Sequence, residues 1–201
     1  MGVKKNKDFR LQVPGGETTV LLHTCCAPCS SAIIEAMMKD GITPVIYYCN
    51  PNIYPLEEYE IRKNECTRYA RSLGLEIVDA DYDHENWLDA VKGLEGEPER
   101  GGRCLRCFKI RLLRTAQYAA QRGIKVITTT LASSRWKSLD QINEAGCWAC
   151  QQIVPPDGKV IWWDHNWRKN GLQERRLQII KEYDFYNQLY CGCEFSMRKE
   201  D

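Results

Sequence analysis

TTVLLHTCCAPCSSAIIEAMMKDG, residues 18–41, is the stretch that decides the fold. Its first part, TTVLLHT (18–24), is a short apolar and β-branched run of the kind that forms a buried strand. Its last part, SSAIIEAMMKDG (30–41), has helical spacing, a glycine at its end and Ser30 near its start as a candidate cap. The stretch therefore predicts a strand followed by a helix, with a cysteine-rich junction between them.

The same alternation of strand and helix continues along the chain. Further strands are predicted at 43–49, 75–80, 124–131 and 159–164, and further helices at 56–74, 104–123, 137–151 and 171–190. Strands that alternate with helices indicate an α/β fold with a mostly parallel sheet flanked by helices. We predict a single Rossmann-like catalytic domain over residues 19–196, preceded by a mobile lead-in (1–18) and followed by a short tail (197–201).

Composition argues against several classes of protein. The chain has 28 basic and 27 acidic side chains, and a net charge of +1 does not suit wholesale electrostatic binding. Its first ten residues are polar and lack the apolar core of a secretory signal, and no stretch approaches the roughly 20 apolar residues of a membrane span. We therefore expect a cytoplasmic protein with no membrane partner.

Eleven cysteines are a large number for a chain expected in a reducing compartment. Clustered cysteines in such a protein point to metal binding or redox chemistry rather than to disulfide staples. The first cluster, Cys25, Cys26 and Cys29, follows the first predicted strand, at the kind of strand end where the sites of parallel sheets gather. A thioredoxin-like pair, Cys26-x-x-Cys29, is the alternative, but it leaves Cys25 unexplained.

A second cluster, Cys104 and Cys107, opens a predicted helix, and residues three apart share one helix face. Four thiolates from the two clusters would be enough for a zinc ion or an iron–sulfur cluster. Zinc usually takes two C-x-x-C pairs, which the adjacent Cys25 and Cys26 fit poorly, so the pattern favours iron–sulfur.

Two further pairs lie towards the C-terminus. Cys191 and Cys193 flank a single glycine, and a disulfide between them would close a small, strained and easily reduced ring. The pair therefore suits electron relay, with further metal ligation as the alternative. Cys147 and Cys150 could bind a separate metal, but packing on a helix is favoured.

Charge is segregated along the chain. Residues 76–99 carry nine acids and one lysine, whereas residues 100–114 carry six bases and no acid. A basic helix beside a metal site could hold the phosphates of a nucleic acid. Aromatic side chains that could stack on an unpaired base, if they do not belong to the core, are Tyr47, Tyr48, Tyr54 and Trp136.

Five segments carry a resemblance to a known family. They are LLHTCCAPCS (21–30), YYCNPNIYPLEEY (47–59), GGRCLRCFKIRL (101–112), TTTLASSRWK (128–137) and DFYNQLYCGCEFS (184–196). In this order, from about residue 19 to 196, the chain resembles the cobalamin-independent epoxyqueuosine reductases, the QueH family. The resemblance implies the last step of queuosine biosynthesis, in which an epoxide on the wobble base of tRNA is reduced to a cyclopentene diol and its oxygen leaves as water.

The resemblance also implies cofactors and partners. It implies a [4Fe-4S] cluster on four matching residues, Cys25, Cys26, Cys104 and Cys107. It implies a redox-active pair, Cys191 and Cys193. Some members are similar but carry an aspartate where this chain has Cys29, and an additional mononuclear iron has been inferred for the family. Cys29 could therefore be a ligand of the cluster or of the second iron. The implied partners are tRNA carrying epoxyqueuosine and an unidentified electron donor.

The family's fold is similar to the nucleotide-hydrolase-like (HUP) superfamily, but no S-G-G-x-D-S phosphate loop follows the first strand, which argues against ATP use. A tRNA-thiolating enzyme, which is a rival function, should show that loop. A zinc-stabilised RNA-binding module would explain the cysteines and the basic helix without catalysis, and a plain thiol oxidoreductase would need no third cysteine cluster.

The motifs of the family assign neither the middle segment of the chain nor a proton donor. The stretch from 144 to 164 matches no pattern of the family, and no function is assigned to it. Candidate proton donors are Asp83, His84 and His23, of which His23 lies within a strand and is expected to be buried.

Overall fold

Five strands form the central sheet of the computed structural model, which describes residues 10–154 and 158–197. In chain order they are β1 (Thr19–Thr24), β2 (Thr43–Tyr48), β3 (Ile77–Asp79), β4 (Val126–Thr129) and β5 (Ile161–Trp162). Their order across the sheet is β3-β2-β1-β4-β5, and every neighbouring pair is parallel. The predicted Rossmann-like α/β fold with a parallel sheet is confirmed.

Helices cover the sheet on both faces. Within the described ranges they are α1 (Ala27–Lys39), α2 (Leu56–Ser72), α3 (His84–Val91), α4 (Gly102–Gln121), α5 (Leu139–Gln151) and α6 (Leu172–Glu182). The helix α1 packs against α2 and α6, whereas α4 packs against α3 and α5, and right-handed crossovers place these two groups on opposite faces. Burial from both sides explains why Val20, Leu21 and Leu22 of β1 are all apolar and fully buried. None of the helices in the described ranges is both long enough and apolar enough to cross a membrane.

The winding of the chain reverses at β1. From β1 the chain moves outward to β2 and β3, and then it returns to place β4 on the other side of β1. Helices that follow the two central strands leave in opposite directions, and the crevice between them is where ligands of such sheets bind. Cys25 follows β1 directly and Thr130 follows β4, and the Cys25 N–H donates to the Thr130 hydroxyl (3.2 Å). The first cysteine cluster therefore lies at this crevice.

The helix α1 begins three residues earlier than predicted. Its N-cap residue is Cys26, and Ser30 lies within the helix, where its hydroxyl contacts the carbonyls of Cys26 and Ala27. Pro28 explains the early start, because proline lacks the N–H that would be unpaired in the first helical turn. As a result, Cys29 lies in the first turn of α1, and Cys26 immediately precedes the helix.

The helix α3 lies in the acidic segment for which no helix is predicted. Its apolar residues Trp87 and Val91 are four apart and almost fully buried. The helix is eight residues long, which is shorter than the window over which a helical period can be recognised from the sequence.

The last helix, α6, is shorter than predicted and ends at Glu182. Asp184 adopts a left-handed backbone conformation (φ 49°), and the rings of Tyr183 and Phe185 both pack edge-on against Tyr69 of α2. Contacts with another helix therefore turn the chain out of α6. The residues that follow, 183–197, are irregular apart from a short 3-10 turn (Glu194–Ser196), and we call them the C-terminal segment.

The chain before β1 contacts the body of the fold. Leu11 is buried, and its N–H donates to a carboxylate oxygen of Asp40 (2.7 Å). The predicted mobile lead-in and tail include residues 1–9 and 198–201, which lie outside the described residues. The limits of the domain at 19 and 196 stay a prediction.

Gly146 lies where α5 comes closest to β5. A methyl group at this position would overlap the indole ring of Trp162, whose N–H donates to the Asn143 side chain (3.2 Å). We expect Gly146→Ala to lower the free energy of unfolding by about 1–3 kcal/mol, because the ring has to shift. Urea unfolding followed by circular dichroism would measure this. Gly96→Ala is the control, since a methyl group there meets no atom within 4 Å; equal stability of the two variants would contradict the close packing.

Candidate metal and redox site

Cys25, Cys26 and Cys29 form a compact group of thiols at the carboxyl end of β1. Their three sulfur atoms lie within 4.8 Å of one another. Adjacent residues of a regular strand point to opposite faces, but here the chain turns into α1 directly after β1, so the side chains converge. Three sulfur atoms at this spacing can hold a metal ion.

The three thiols differ in the direction in which their pKa values are shifted. Hydrogen bonds with Cys26 and Cys29, helped by the cation of Lys137, hold the pKa of Cys25 well below its ordinary value. The same hydrogen bonds to Cys25, together with burial, raise the pKa of Cys26 and raise that of Cys29 to about 11. A metal ion bound by all three would therefore displace protons from Cys26 and Cys29.

The compact group opens onto a cavity of about 1010 Å³. Cysteines from three parts of the chain line its wall: Cys25, Cys29, Cys104, Cys191 and Cys193. Cys26 is buried in contact with Cys25, and Cys107 is buried beside Cys193. Five of the seven predicted site cysteines thus line the cavity and the other two are buried next to them, although Cys104 and Cys107 are not part of the compact group. The roles of these cysteines stay predictions.

The pair at the start of α4 occupies two different environments. Cys104 is half-buried, and the backbone N–H of Arg100 donates to its sulfur atom (3.3 Å). Cys107 is buried, which raises the pKa of its thiol to about 11 against the opposing effects of Arg111 and Trp87. Of the two glycines before this pair, Gly101 serves local packing, because a side chain there would overlap the carboxylate of Glu97.

A buried ion pair on α2 holds Cys191 at the cavity. Arg62 pairs with Glu58 (2.6 Å), and both side chains are buried. The guanidinium of Arg62 also donates to the carbonyls of Cys191 (3.2 Å) and Tyr190 (3.3 Å). The position of the C-terminal segment is therefore set by a charge inside the fold.

Gly192 lets the C-terminal segment approach the loop after β2. Its φ of 124° is accessible to glycine, and a side chain there would press on Ile53, Arg62 and Asn52. The Tyr54 N–H donates to the Gly192 carbonyl (2.9 Å). The single glycine between Cys191 and Cys193 is thus required by packing, and both cysteines are free thiols.

Gln188 connects the C-terminal segment to the compact thiol group. Its side-chain amide donates to the sulfur atom of Cys26 (3.1 Å) and lies 3.9 Å from that of Cys29. Sequence reasoning missed this residue, because a single glutamine has no spacing to mark it. The only signal is its place in the motif DFYNQLYCGCEFS.

The cavity wall is strongly basic. It contains one acid, Glu99, and eight cations: Arg62, Arg100, Arg103, Arg111, Arg135, Lys137, Arg168 and Arg176. In the part of the chain that the structure describes, Arg62 is the one wall cation that pairs with a carboxylate within 4.0 Å. Arg100, Arg103, Arg168 and Arg176 donate to backbone carbonyls, which leaves their positive charge without a neutralising carboxylate. This excess of positive charge around the cavity suits an anionic ligand.

Arg111 is the most informative of these cations, because it is only 2% exposed. It donates to the Cys49 carbonyl (3.2 Å) and to the Asn50 side chain, and so ties α4 to the end of β2. Burial alone would lower its pKa, but the thiols of Cys107 and Cys25, among others, outweigh this and raise it. A buried guanidinium in the cavity wall with no carboxylate partner among the described residues suits an anionic group in the cavity.

Lys137 was also missed by sequence reasoning. It is half-buried in the cavity wall. Burial works to lower its pKa, but Cys191, Cys25 and Cys29 outweigh burial and raise it, so the side chain stays charged. Lys137 is therefore a cation in the same cavity wall as Cys25, Cys29 and Cys191.

The predicted proton donors do not line the cavity. His23 is buried between the Thr129 hydroxyl (2.6 Å) and the Cys49 carbonyl (3.0 Å), and burial lowers its pKa to about 3. Its structural role agrees with its position in a strand. His84 contacts the Pro51 carbonyl (2.7 Å), and Asp83 accepts a hydrogen bond from Asn86. None of the three is therefore available to a ligand in the cavity.

The candidate stacking residues divide into two kinds. Tyr48 belongs to the core and Tyr47 stacks on Tyr118, so these two serve packing. Tyr54 is exposed, but it stacks on His84 and does not line the cavity. Trp136 lines the cavity and is 67% exposed. Among the four, only Trp136 presents a free ring to the site.

Cys147 and Cys150 lie on α5, outside the cavity wall. Cys147 is exposed, and Cys150 packs against the core. Among the described residues they join no group of three or more potential metal ligands. The arrangement agrees with packing on a helix for Cys150, whereas Cys147 does not pack in the core.

Comparison with known proteins gives a consistent result. The family model described as epoxyqueuosine reductase QueH matches residues 20–199. A relative of that name from Haemophilus influenzae is 48% identical over 189 residues, which cover 94% of this chain and 76% of the relative. Relatives of the same name from Acinetobacter baylyi (46% identity, 94% and 85% covered) and Thermotoga maritima (35% identity, 89% and 90% covered) are also similar. The chain therefore belongs to the QueH family of epoxyqueuosine reductases, which are oxidoreductases.

Proposed function

We propose that this chain reduces epoxyqueuosine to queuosine at the wobble position of tRNA, the last step of queuosine biosynthesis. The observation that carries the proposal is the gathering of seven cysteines around one basic cavity. Thiols supply ligands and electrons, and the excess positive charge suits both an anionic cofactor and a polyanionic RNA.

We assign Cys25, Cys26, Cys104 and Cys107 to a [4Fe-4S] cluster, which supplies single electrons when it is bound. Cys29 is assigned either to this cluster or to an additional mononuclear iron, and its closeness to Cys25 and Cys26 supports both assignments. The buried charge of Arg111 and the cation of Lys137 support an anionic group at this place, because both line the cavity and neither has a carboxylate partner within 4.0 Å among the described residues.

The reaction requires two electrons and two protons. Both C–O bonds of the epoxide break, a C=C bond forms, and the oxygen leaves as water. A dithiol at Cys191 and Cys193 holds two electrons and two protons and becomes a disulfide, so this pair can balance the reaction. An unidentified electron donor would then restore the dithiol. We assign the stabilisation of negative charge on the departing oxygen to Lys137, since no predicted proton donor lines the cavity.

The proposal is tested by anaerobic purification, followed by a visible spectrum and by analysis of iron, sulfide and zinc. We expect brown protein with nearly equal iron and sulfide. Incubation with dithionite and tRNA that carries epoxyqueuosine should then yield queuosine, measured by mass spectrometry of the nucleosides. Colourless protein with stoichiometric zinc, even after reconstitution with iron and sulfide, would instead support a zinc-stabilised RNA-binding module.

A tRNA-thiolating enzyme is less well supported. Such an enzyme activates its substrate with ATP and needs a phosphate-binding loop after the first strand. In this chain that position holds the compact thiol group, with Pro28 in the first turn of α1. The same incubation distinguishes the two functions, because thiolation would add sulfur to the RNA.

A further inference from the structure

Trp136 lies in the cavity wall with its indole ring exposed to solvent. It is 67% exposed, and it lines the cavity. All six tryptophans lie within the described ranges, and Trp136 is the one whose side chain is exposed. Because burial of an aromatic ring is favourable, we expect a bound partner to cover an indole ring that is exposed in the wall of a site.

The exposure of Trp136 does not come from a loose backbone. The side chain of Arg100 donates to the carbonyls of Trp136 (2.9 Å) and Arg135 (2.9 Å). From the other side, Arg168 donates to the carbonyls of Lys137 (2.6 Å) and Ser134. Two arginines thus fix the backbone of residues 134–138, which we call the 134–138 loop, and the loop holds its ring in a prepared position.

The 134–138 loop is also surrounded by unpaired positive charge. The guanidinium of Arg135 lies 5.4 Å from the centre of the Trp136 ring. Arg135, Lys137 and the two arginines that fix the loop have no carboxylate partner within 4.0 Å among the described residues. An exposed aromatic ring beside several cations is the combination that binds single-stranded nucleic acid, because bases stack on the ring while phosphates take the charge.

We propose that the 134–138 loop binds the anticodon loop of the substrate tRNA, with Trp136 stacked on an unpaired base and Arg135 in contact with a neighbouring phosphate. The inference rests on the proposed function and deepens it, since it names the protein element that holds the RNA. It leaves Lys137 free to face the thiols inside the cavity.

The proposal is tested by binding of an unmodified anticodon stem–loop RNA, measured by fluorescence anisotropy at several salt concentrations. We expect Trp136→Leu to weaken binding by about tenfold or more, because it removes the stacking surface but keeps an apolar side chain. Trp136→Phe keeps an aromatic face and should lose much less. Parental affinity in the leucine variant, or an equal loss in both variants, would overturn the stacking role.

Arg135→Gln tests the phosphate contact independently. The slope of log affinity against log salt should fall by about 0.7, the contribution of one phosphate of a single strand. Arg68→Gln is the matched control, because Arg68 lies on α2 outside the cavity wall and its side chain is 55% exposed. A slope that is unchanged in Arg135→Gln, or that falls equally in the control, would overturn the contact.

These measurements stand apart from the test of the reductase activity. Binding uses RNA without an epoxide, and circular dichroism and iron content report whether each variant is folded and loaded. If the parent binds the RNA but does not reduce epoxyqueuosine, the proposed function is wrong, while the proposed binding of RNA by the 134–138 loop still stands. If the parent reduces epoxyqueuosine and the Trp136 variants bind the RNA like the parent, only the proposed binding of RNA by the 134–138 loop is wrong.

Discussion

Replacing Cys191 or Cys193 by serine should abolish the reduction of epoxyqueuosine while iron and sulfide stay with the protein. Serine cannot form a disulfide, so the pair can no longer give up two electrons, and we expect the turnover rate to fall by at least about a thousandfold. The compact thiol group and the start of α4 keep their cysteines in both variants. Iron and sulfide analysis alongside a single-turnover assay would measure both effects.

Cys147→Ser is the matched control for this experiment. Cys147 is an exposed cysteine on α5 that does not line the cavity, so its loss should change neither turnover nor iron content. A loss of iron from the Cys191 or Cys193 variants would instead make these residues metal ligands. Full turnover in both variants would remove the pair from the reaction.

The second large effect is expected from Arg111→Met, which removes the buried cation that faces the thiols. Loss of one partner of a buried charge pair costs about 3–5 kcal/mol, so the variant should retain less than about a tenth of the iron under conditions in which the parent is fully loaded. Arg111→Lys keeps the charge but cannot reach both Cys49 and Asn50 as the guanidinium does, and it should retain an intermediate amount. Iron content after anaerobic dialysis against a chelator would measure the difference.

Arg114→Met provides the control, since it removes a cation from the same helix. Arg114 does not line the cavity; it contacts the Ala80 carbonyl and lies 3.9 Å from Asp83. Equal iron retention in Arg111→Met and Arg114→Met would show that the buried cation does not compensate the charge of the cluster.

The parts of this structure that could be predicted from sequence are those encoded by local patterns. The apolar run of β1 and the helical spacing after it predict the central strand and helix, and alternation along the chain predicts the parallel sheet. Cys25 was expected at the end of a strand, where the site of such a sheet forms, and the structure has it there.

The features that were missed depend on tertiary contacts. The end of α6 is set by the packing of Tyr183 and Phe185 on Tyr69, which no local pattern contains. The helix α3 is only eight residues long, too short for its apolar spacing to establish a helical period. Lys137 and Gln188 matter through the sulfur atoms that the fold brings near them, and a single polar residue has no period or spacing.

The order of the cysteines along the chain has a consequence for how the protein is made. All five strands and the cysteines of the first two clusters precede residue 163, whereas Cys191 and Cys193 lie in the C-terminal segment. Because a ribosome releases the chain from its N-terminus, the thiols assigned to metal emerge and can fold before the last pair exists. In a nascent chain the thiols assigned to metal can therefore come together while the cavity still lacks the segment that carries Cys191 and Cys193.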